Sequence, residues 1–113
     1  MEFDEYQSEA IKTASYDFKT WEFGLPYLAL GLIGESGEVA ERIKKHIRGD
    51  KELKPEKTLE ELGDVLWYMA NLCETLGFTL ADVASANITK LRKRHGETFS
   101  GYGNPETRDD SAD

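Results

Sequence analysis

The chain has 113 residues, one cysteine and a formal net charge of −8, and 39% of its residues are hydrophobic. A single domain of this size buries only about two-thirds of the surface that its unfolded chain exposes, so we expect a homo-oligomer. The sequence contains no apolar run long enough to span a membrane and no signal-peptide pattern, and its acidity argues against a nucleic-acid duplex as partner. The lone Cys73 leaves neither a disulfide framework nor a cysteine cluster for zinc, which favours a cytoplasmic protein.

The first half of the chain predicts two helices separated by a turn. Apolar residues spaced by three and four from Phe3 to Phe18 predict an amphipathic first helix. Glycine and proline in the segment 21–26 predict a turn, because both residues interrupt helices. A second helix is then expected from about Pro26 to Ile47.

The second half predicts a loop and two further helices. The segment 48–57 is polar and contains glycine and proline, which is typical of a loop. A third helix is expected from Thr58 until Gly77 stops it, and a fourth from about Thr79 to a terminating glycine at Gly96.

These elements predict an all-α fold of four helices, with no strand, internal repeat or second domain. Residues 1–96 form the predicted helical domain. Residues 97–113 are rich in Gly, Ser, Asn and Asp, and we expect them to be a disordered acidic tail.

Two carboxylate pairs are the strongest candidates for a chemical role. Glu35 and Glu38 lie on the second predicted helix, and Glu61 and Asp64 lie on the third. The i, i+3 spacing places the two members of each pair on one helix face. If the apolar faces of the two helices pack together, both pairs flank one groove, and an all-oxygen site of this kind suits Mg²⁺ or Mn²⁺.

Ordinary structural roles compete with this interpretation. Acidic pairs are common on solvated helices, and Thr58 followed by Glu61 also fits a capping box, in which Glu61 bonds the first backbone N–H of the helix. Four glycines lie inside the predicted helices around the acidic pairs, and each costs up to about 1 kcal/mol relative to alanine. They indicate either close helix packing or room for a ligand, and they are Gly31, Gly34, Gly37 and Gly63.

The fourth predicted helix ends in a basic segment. Lys90 and Arg94 share one face and are candidates to bind phosphate oxygens, although cations near a helix C-terminus also simply favour the helix dipole. Trp21 and Tyr68 belong to aromatic clusters that are suited to stack on a nucleobase, although aromatic residues more often pack in a core or an interface. Cys73 lies on an apolar stripe and is interpreted as a packing residue.

Together these motifs resemble the signature of the MazG-like nucleotide pyrophosphohydrolases. The similarity runs from about Tyr6 to Arg94. It comprises Glu35-x-x-Glu38 within Leu32-Ile33-Gly34-Glu35-Ser36-Gly37-Glu38, Glu61-x-x-Asp64 within Glu60-Glu61-Leu62-Gly63-Asp64, and Asn87-x-x-Lys90-Leu91-x-x-Arg94.

The resemblance implies an all-α fold whose four-helix bundles are completed between the subunits of a homodimer or homotetramer. It implies Mg²⁺-dependent hydrolysis of a nucleoside triphosphate, NTP or dNTP, between the α and β phosphates, which yields the monophosphate and pyrophosphate. Glu38 is the carboxylate that would help to deprotonate the attacking water. The implied metal ligands are Glu35, Glu38, Glu61 and Asp64, and the implied substrate-binding residues are Asn87, Lys90 and Arg94 for phosphates and Trp21 and Tyr68 for base or sugar.

Two alternatives remain open from the sequence. One is a hydrolase for a related phosphoanhydride such as phosphoribosyl-ATP. The other is a non-catalytic helical module whose acidic pairs are solvated and whose apolar stripes bind a partner helix.

Overall fold

A computed structural model describes residues 1–15 and 20–96 of the chain. These residues contain four α-helices and no strand, so the predicted all-α fold is confirmed. The predicted acidic tail, residues 97–113, lies outside the described residues. Within the described ranges, none of the helices combines the length and the hydropathy needed to cross a bilayer. The helices are α1 (Phe3–Lys12), α2 (Trp21–Ile47), α3 (Pro55–Leu76) and α4 (Leu80–His95).

Helix α1 ends earlier than predicted. Its last residue is Lys12, and the helix does not continue through Ala14; the predicted end at Phe18 lies outside the described residues. The Thr13 hydroxyl donates a hydrogen bond to the carbonyl of Ala10 at 2.7 Å, and the same hydroxyl accepts one from Trp67 Nε1 at 2.7 Å. The end of α1 is therefore tied to α3 by side-chain bonds that hydrophobic spacing does not reveal.

The predicted turn over residues 21–26 is wrong, because α2 already begins at Trp21 and contains Pro26. The backbone N–H of Gly24 donates to the carbonyl of Thr20 at 2.7 Å, which closes the first helical turn. A proline removes one backbone donor, and α2 tolerates this loss near its start. Leu28, which follows Pro26 by two residues, has a fully buried side chain.

Helix α3 begins at Pro55 rather than at Thr58, so the predicted capping box is also wrong. Proline fits the first helical position because its missing N–H would have no partner there. Thr58 lies inside the helix, and its hydroxyl donates to the carbonyl of Lys54 at 3.2 Å. The side chain of Glu61 is consequently not used as a cap.

The predicted ends of α3 and α4 are confirmed. Gly77 follows α3 with a φ of 88°, and its N–H donates to the carbonyl of Cys73 at 2.9 Å. Gly96 follows α4 with a φ of 82°. Both glycines adopt the left-handed conformation that commonly terminates helices.

Helix α3 is central to the packing of the first three helices, because both α1 and α2 contact it. The Cys73 side chain is buried, in agreement with its interpretation as a packing residue. The chain divides into two compact units, residues 1–80 and residues 81–113. Among residues 1–15 and 20–96 the buried apolar side chains are few, and they are Ala10, Leu28, Ala70, Cys73 and Leu80.

A buried glutamine connects α1 to the end of α3. Gln7 is only 5% exposed, and its Nε2 donates to Glu74 Oε2 and to the carbonyl of Phe78, each at 3.2 Å. Its Oε1 accepts a hydrogen bond from the backbone N–H of Leu80 at 2.8 Å. One polar side chain therefore fixes α1 against the turn that follows α3.

Replacing Gln7 with leucine is expected to lower the free energy of unfolding by about 2–3 kcal/mol, because the backbone groups of Phe78 and Leu80 lose their partner while partly buried. Urea denaturation measures this change. Ser8→Ala alters an exposed neighbour and should change the free energy by less than about 0.5 kcal/mol. Equal stability of the two variants would show that the Gln7 bonds do not hold α1 in place.

Candidate metal centre

Carboxylates from two neighbouring helices converge at one point. Glu35 extends from α2, and Glu61 and Asp64 extend from α3. One carboxylate oxygen of each residue lies within 4.8 Å of the corresponding oxygens of the other two. The spacing of Glu61 and Asp64 places both on one face of α3, and the packing of α2 on α3 brings Glu35 to them.

The structure places the fourth predicted ligand, Glu38, beside this cluster rather than in it. Glu38 lies one helical turn after Glu35, is exposed, and lines a groove that also includes Glu61. We refer below to Glu35, Glu61 and Asp64 as the acidic cluster, and to Glu38 as its neighbour.

Mutual repulsion is evident in the electrostatics of the cluster. The pKa of Glu35 is raised, mainly because the carboxyl is partly desolvated and further because Asp64, Glu61 and Glu38 are nearby. Adding negative charge among these carboxylates is unfavourable, and a bound cation would relieve that cost.

This shift predicts how the stability of the metal-free protein depends on pH. The pKa of Glu35 is higher in the folded than in the unfolded chain. The ionisation of Glu35 therefore lowers the stability of the fold, and this loss develops as pH rises from the ordinary glutamate pKa through the raised pKa. Glu35→Gln removes that penalty and should raise the free energy of unfolding near neutral pH by a few tenths of a kcal/mol, since the group is solvent-screened.

Urea denaturation in chelator, from about pH 4 to pH 8, measures the difference between this variant and the wild type. Glu9→Gln is the matched control, because Glu9 forms an ion pair with Lys12 at 3.1 Å and its loss should give no gain. A Glu35→Gln variant that is less stable than the wild type at neutral pH would contradict the proposed repulsion.

An arginine from α2 holds one member of the cluster. Arg42 Nε donates to Glu61 Oε1 at 3.0 Å, and the Glu61 side chain is only 17% exposed. This ion pair links α2 to α3 and fixes the Glu61 carboxylate. The sequence places Arg42 on the same helix face as Glu35 and Glu38, but it does not reveal this partner.

Two phenols flank the cluster. The pKa of Tyr68 is raised by burial and by the proximity of Tyr27, Glu35 and Asp64, and the pKa of Tyr6 is raised by burial and by Asp64. Tyr68 was a predicted substrate-binding residue, whereas Tyr6 was not. Tyr6 lies on α1, far from Asp64 in the sequence, and only the contact of α1 with α3 brings the two residues close together.

One of the four interior glycines marks a close contact between helices. A Cβ atom built on Gly31 would overlap the ring of Tyr68. Apart from chain neighbours and the nearby backbone of the same helix, no described atom lies within 4 Å of a Cβ built at Gly34, Gly37 or Gly63. Gly31 therefore allows Tyr68 its position beside the acidic cluster.

Substituting Gly31 with alanine is expected to displace the Tyr68 ring and to cost about 1–3 kcal/mol of stability. Gly37→Ala meets no neighbouring atom and should instead gain up to about 1 kcal/mol from its higher helix propensity. Thermal denaturation with near-ultraviolet circular dichroism reports both changes, because the Tyr68 ring lies 4.9 Å from that of Trp67. Equal stability of the two variants would contradict the close contact at Gly31.

The other predicted substrate-binding residues lie on α2 and α4. Trp21 is the first residue of α2 and is 61% exposed. Asn87 is exposed on α4, where Lys90 and Arg94 are half-buried. These α4 residues belong to the unit of residues 81–113, and their role in binding phosphate stays a prediction.

The donor set of the acidic cluster fits a hard divalent cation. Oxygens on opposite sides of such a cation lie about 4–5 Å apart, because metal–oxygen distances are about 2.1 Å for Mg²⁺ and 2.4 Å for Ca²⁺. The separation of up to 4.8 Å observed here lies in that range. Glu35, Glu61 and Asp64 are therefore the residues that would hold the ion.

Comparison with known proteins identifies a family for the chain that carries this site. Residues 24–99 match the model of the MazG nucleotide pyrophosphohydrolase domain. The chain is 38% identical to the Gene 37 protein of Mycobacterium phage L5 over 102 residues, which cover 83% of this chain and 89% of that protein. It is 33% identical to the uncharacterized protein YvdC of Bacillus subtilis (strain 168) over 90 residues, 70% of this chain and 84% of that protein.

No solved structure gives a significant match to the chain. The family model covers the acidic pairs on α2 and α3 as well as the basic end of α4, and both relatives align over most of their length. The chain belongs to the MazG nucleotide pyrophosphohydrolase family.

Proposed function

We propose that the chain hydrolyses a nucleoside triphosphate, NTP or dNTP, between the α and β phosphates with the help of Mg²⁺, for which Mn²⁺ can substitute. The products are the nucleoside monophosphate and pyrophosphate. The observation that carries this proposal is the convergence of three carboxylates from α2 and α3, which supports a metal site in a family of pyrophosphohydrolases.

The roles proposed for individual residues follow from their positions. Glu35, Glu61 and Asp64 bind the cation, which neutralises phosphate charge and activates water when it is bound. Glu38, adjacent to the cluster and exposed, supplies a further ligand oxygen or accepts the proton of the attacking water. Arg42 keeps the Glu61 carboxylate in place, and Tyr68 beside the cluster contacts the base or the sugar.

Release of pyrophosphate across a panel of NTPs, dNTPs and phosphoribosyl-ATP tests the activity. Turnover of one or more triphosphates with Mg²⁺, and its loss in chelator, is the expected result. Turnover of phosphoribosyl-ATP alone would favour the related hydrolase. No turnover together with no saturable binding of Mg²⁺ or Mn²⁺ would favour a non-catalytic module.

We also propose that the chain acts as a cytoplasmic homodimer or homotetramer. Apolar side chains remain exposed on both long helices, among them Leu30 (70%) and Ile33 (69%) on α2 and Leu59 (70%) on α3. Apolar surface of this kind commonly marks a protein interface. Sedimentation equilibrium should find an oligomer, and Ile33→Glu should shift the distribution toward monomer; a monomeric wild type would contradict the proposal.

A further inference from the structure

We infer that the groove beside the acidic cluster is a binding site for a diphosphate group, namely the β and γ phosphates that leave as pyrophosphate. The groove lies between the C-terminal end of α2 and the start of α3, and it has a volume of about 150 Å³. That volume is well above the roughly 10–15 Å³ that a cavity needs in order to hold one water molecule. This inference rests on the proposed function and assigns its phosphate subsite to residues of the α2–α3 connection.

Three lysines in the groove stand outside the ion pairs of the described residues. Lys45, Lys51 and Lys54 line it, and none of them forms an ion pair within the described part of the chain. The other described lysines of residues 1–80 each pair with a glutamate one helical turn away. Those pairs are Lys12 with Glu9, Lys44 with Glu41, and Lys57 with Glu60. Among the described lysines of residues 1–80, those outside an ion pair therefore all line one groove.

The connection that carries two of these lysines is held in place by its own bonds. The backbone N–H of Leu53 donates to His46 Nδ1 at 3.2 Å, and the N–H of Asp50 donates to the carbonyl of Lys45 at 2.9 Å. Arg48 forms an ion pair with Asp50 at 2.7 Å. Because these bonds hold the connection in place, Lys51 and Lys54 are positioned before a ligand binds. This reduces the entropy that is lost on binding.

The charge of the groove explains why its occupant should arrive together with a metal. Four basic and four acidic side chains line the groove, so it has little net charge by itself. Glu61 belongs both to this lining and to the acidic cluster. A divalent cation held by the cluster would offset the further negative charges of Glu35 and Asp64 and leave the combined surface near neutral, and a diphosphate that contacts the lysines also lies next to that cation.

Isothermal titration of inorganic pyrophosphate into the full chain tests the inference without requiring turnover. With Mg²⁺ present, we expect saturable binding to the wild type. The double variant Lys51→Ala/Lys54→Ala should raise the dissociation constant by about tenfold or more, since hydrogen bonds to charged groups are the stronger ones. In steady-state assays the same variant should raise KM for the triphosphate more than it lowers kcat.

Two further variants make the comparison specific. Lys12→Ala/Lys57→Ala removes the same total charge from lysines that do not line the groove, and its pyrophosphate affinity should stay within about twofold of the wild type. Lys90→Ala/Arg94→Ala tests the predicted phosphate residues of α4.

The inference is overturned if the wild type does not bind pyrophosphate, or if the groove variant binds it as tightly as the wild type does. Either result is compatible with turnover of triphosphates by the wild type, so the proposed function can stand when the inference fails. Conversely, metal-dependent binding of pyrophosphate that depends on Lys51 and Lys54, without turnover of any nucleotide, would retain the groove and contradict the proposed hydrolysis.

Discussion

Replacing Asp64 with asparagine is expected to lower kcat for pyrophosphate release by about a hundredfold to a thousandfold. The substitution keeps the size of the side chain but removes one of three converging negative charges. A metal that neutralises phosphate charge contributes several kcal/mol to the transition state, and each 1.36 kcal/mol lost is a factor of about ten in rate. Discontinuous assays of pyrophosphate release at saturating triphosphate and Mg²⁺ measure the change.

The Asp64 experiment needs a control for general effects of charge on α3. Glu60→Gln removes one charge from the same helix at an exposed side chain that pairs only with Lys57 among the described residues, at 3.7 Å. Its kcat should remain within about twofold of the wild type, because such exposed pairs contribute little. Circular dichroism and the melting temperature establish that both variants are folded. A folded Asp64→Asn variant with wild-type turnover would remove Asp64 from the mechanism.

Local spacing in the sequence predicted the helical class and the two carboxylate pairs, because both depend on residues three and four positions apart. It placed the helix starts less well. The single glycine and proline of segment 21–26 suggested a turn, yet a helix tolerates one missing donor when the hydrophobic face continues into Leu28. Pro55 began α3 one turn before Thr58, since proline suits a first helical position.

The contacts around the acidic cluster depend on tertiary packing, which spacing does not encode. The Arg42–Glu61 ion pair spans nineteen positions of sequence, and Tyr6 comes close to Asp64 only because α1 packs on α3. The four interior glycines also show that spacing in the sequence does not reveal tertiary contacts. All four lie inside helices, but only Gly31 meets another helix in the described structure, and the difference depends on where Tyr68 lies.

The residue at which α3 begins decides which role the Glu61 side chain can have. With a helix start at Thr58, Glu61 would bond the backbone at that start, and the second acidic pair would have a structural explanation. Because α3 starts at Pro55, Glu61 is free of that role and bonds Arg42 instead. A correct helix start thus strengthens the assignment of Glu61 to a metal site.

Glu35 and Glu38 should respond differently to substitution, although they lie one turn apart on α2. Glu35→Gln is expected to raise the dissociation constant for Mg²⁺ by about tenfold to a hundredfold, because it removes the negative charge from one of three carboxylates whose oxygens lie within 4.8 Å of one another. Glu38 is adjacent to the cluster, so Glu38→Gln should weaken Mg²⁺ binding less than Glu35→Gln does. Its effect on kcat should be larger than its effect on the affinity for Mg²⁺. Isothermal titration with Mg²⁺ or Mn²⁺, and kcat at saturating metal, separate the two effects.

The pair of variants tests whether Glu38 serves chiefly as a ligand or chiefly in moving a proton. A carboxylate that accepts a proton from water must lose its function as an amide even when metal saturates the site, whereas a lost ligand is partly compensated by more metal. If excess Mg²⁺ restores the kcat of Glu38→Gln, then Glu38 binds metal and does not act as the base. If Glu35→Gln binds Mg²⁺ as tightly as the wild type does, the acidic cluster is not the metal site.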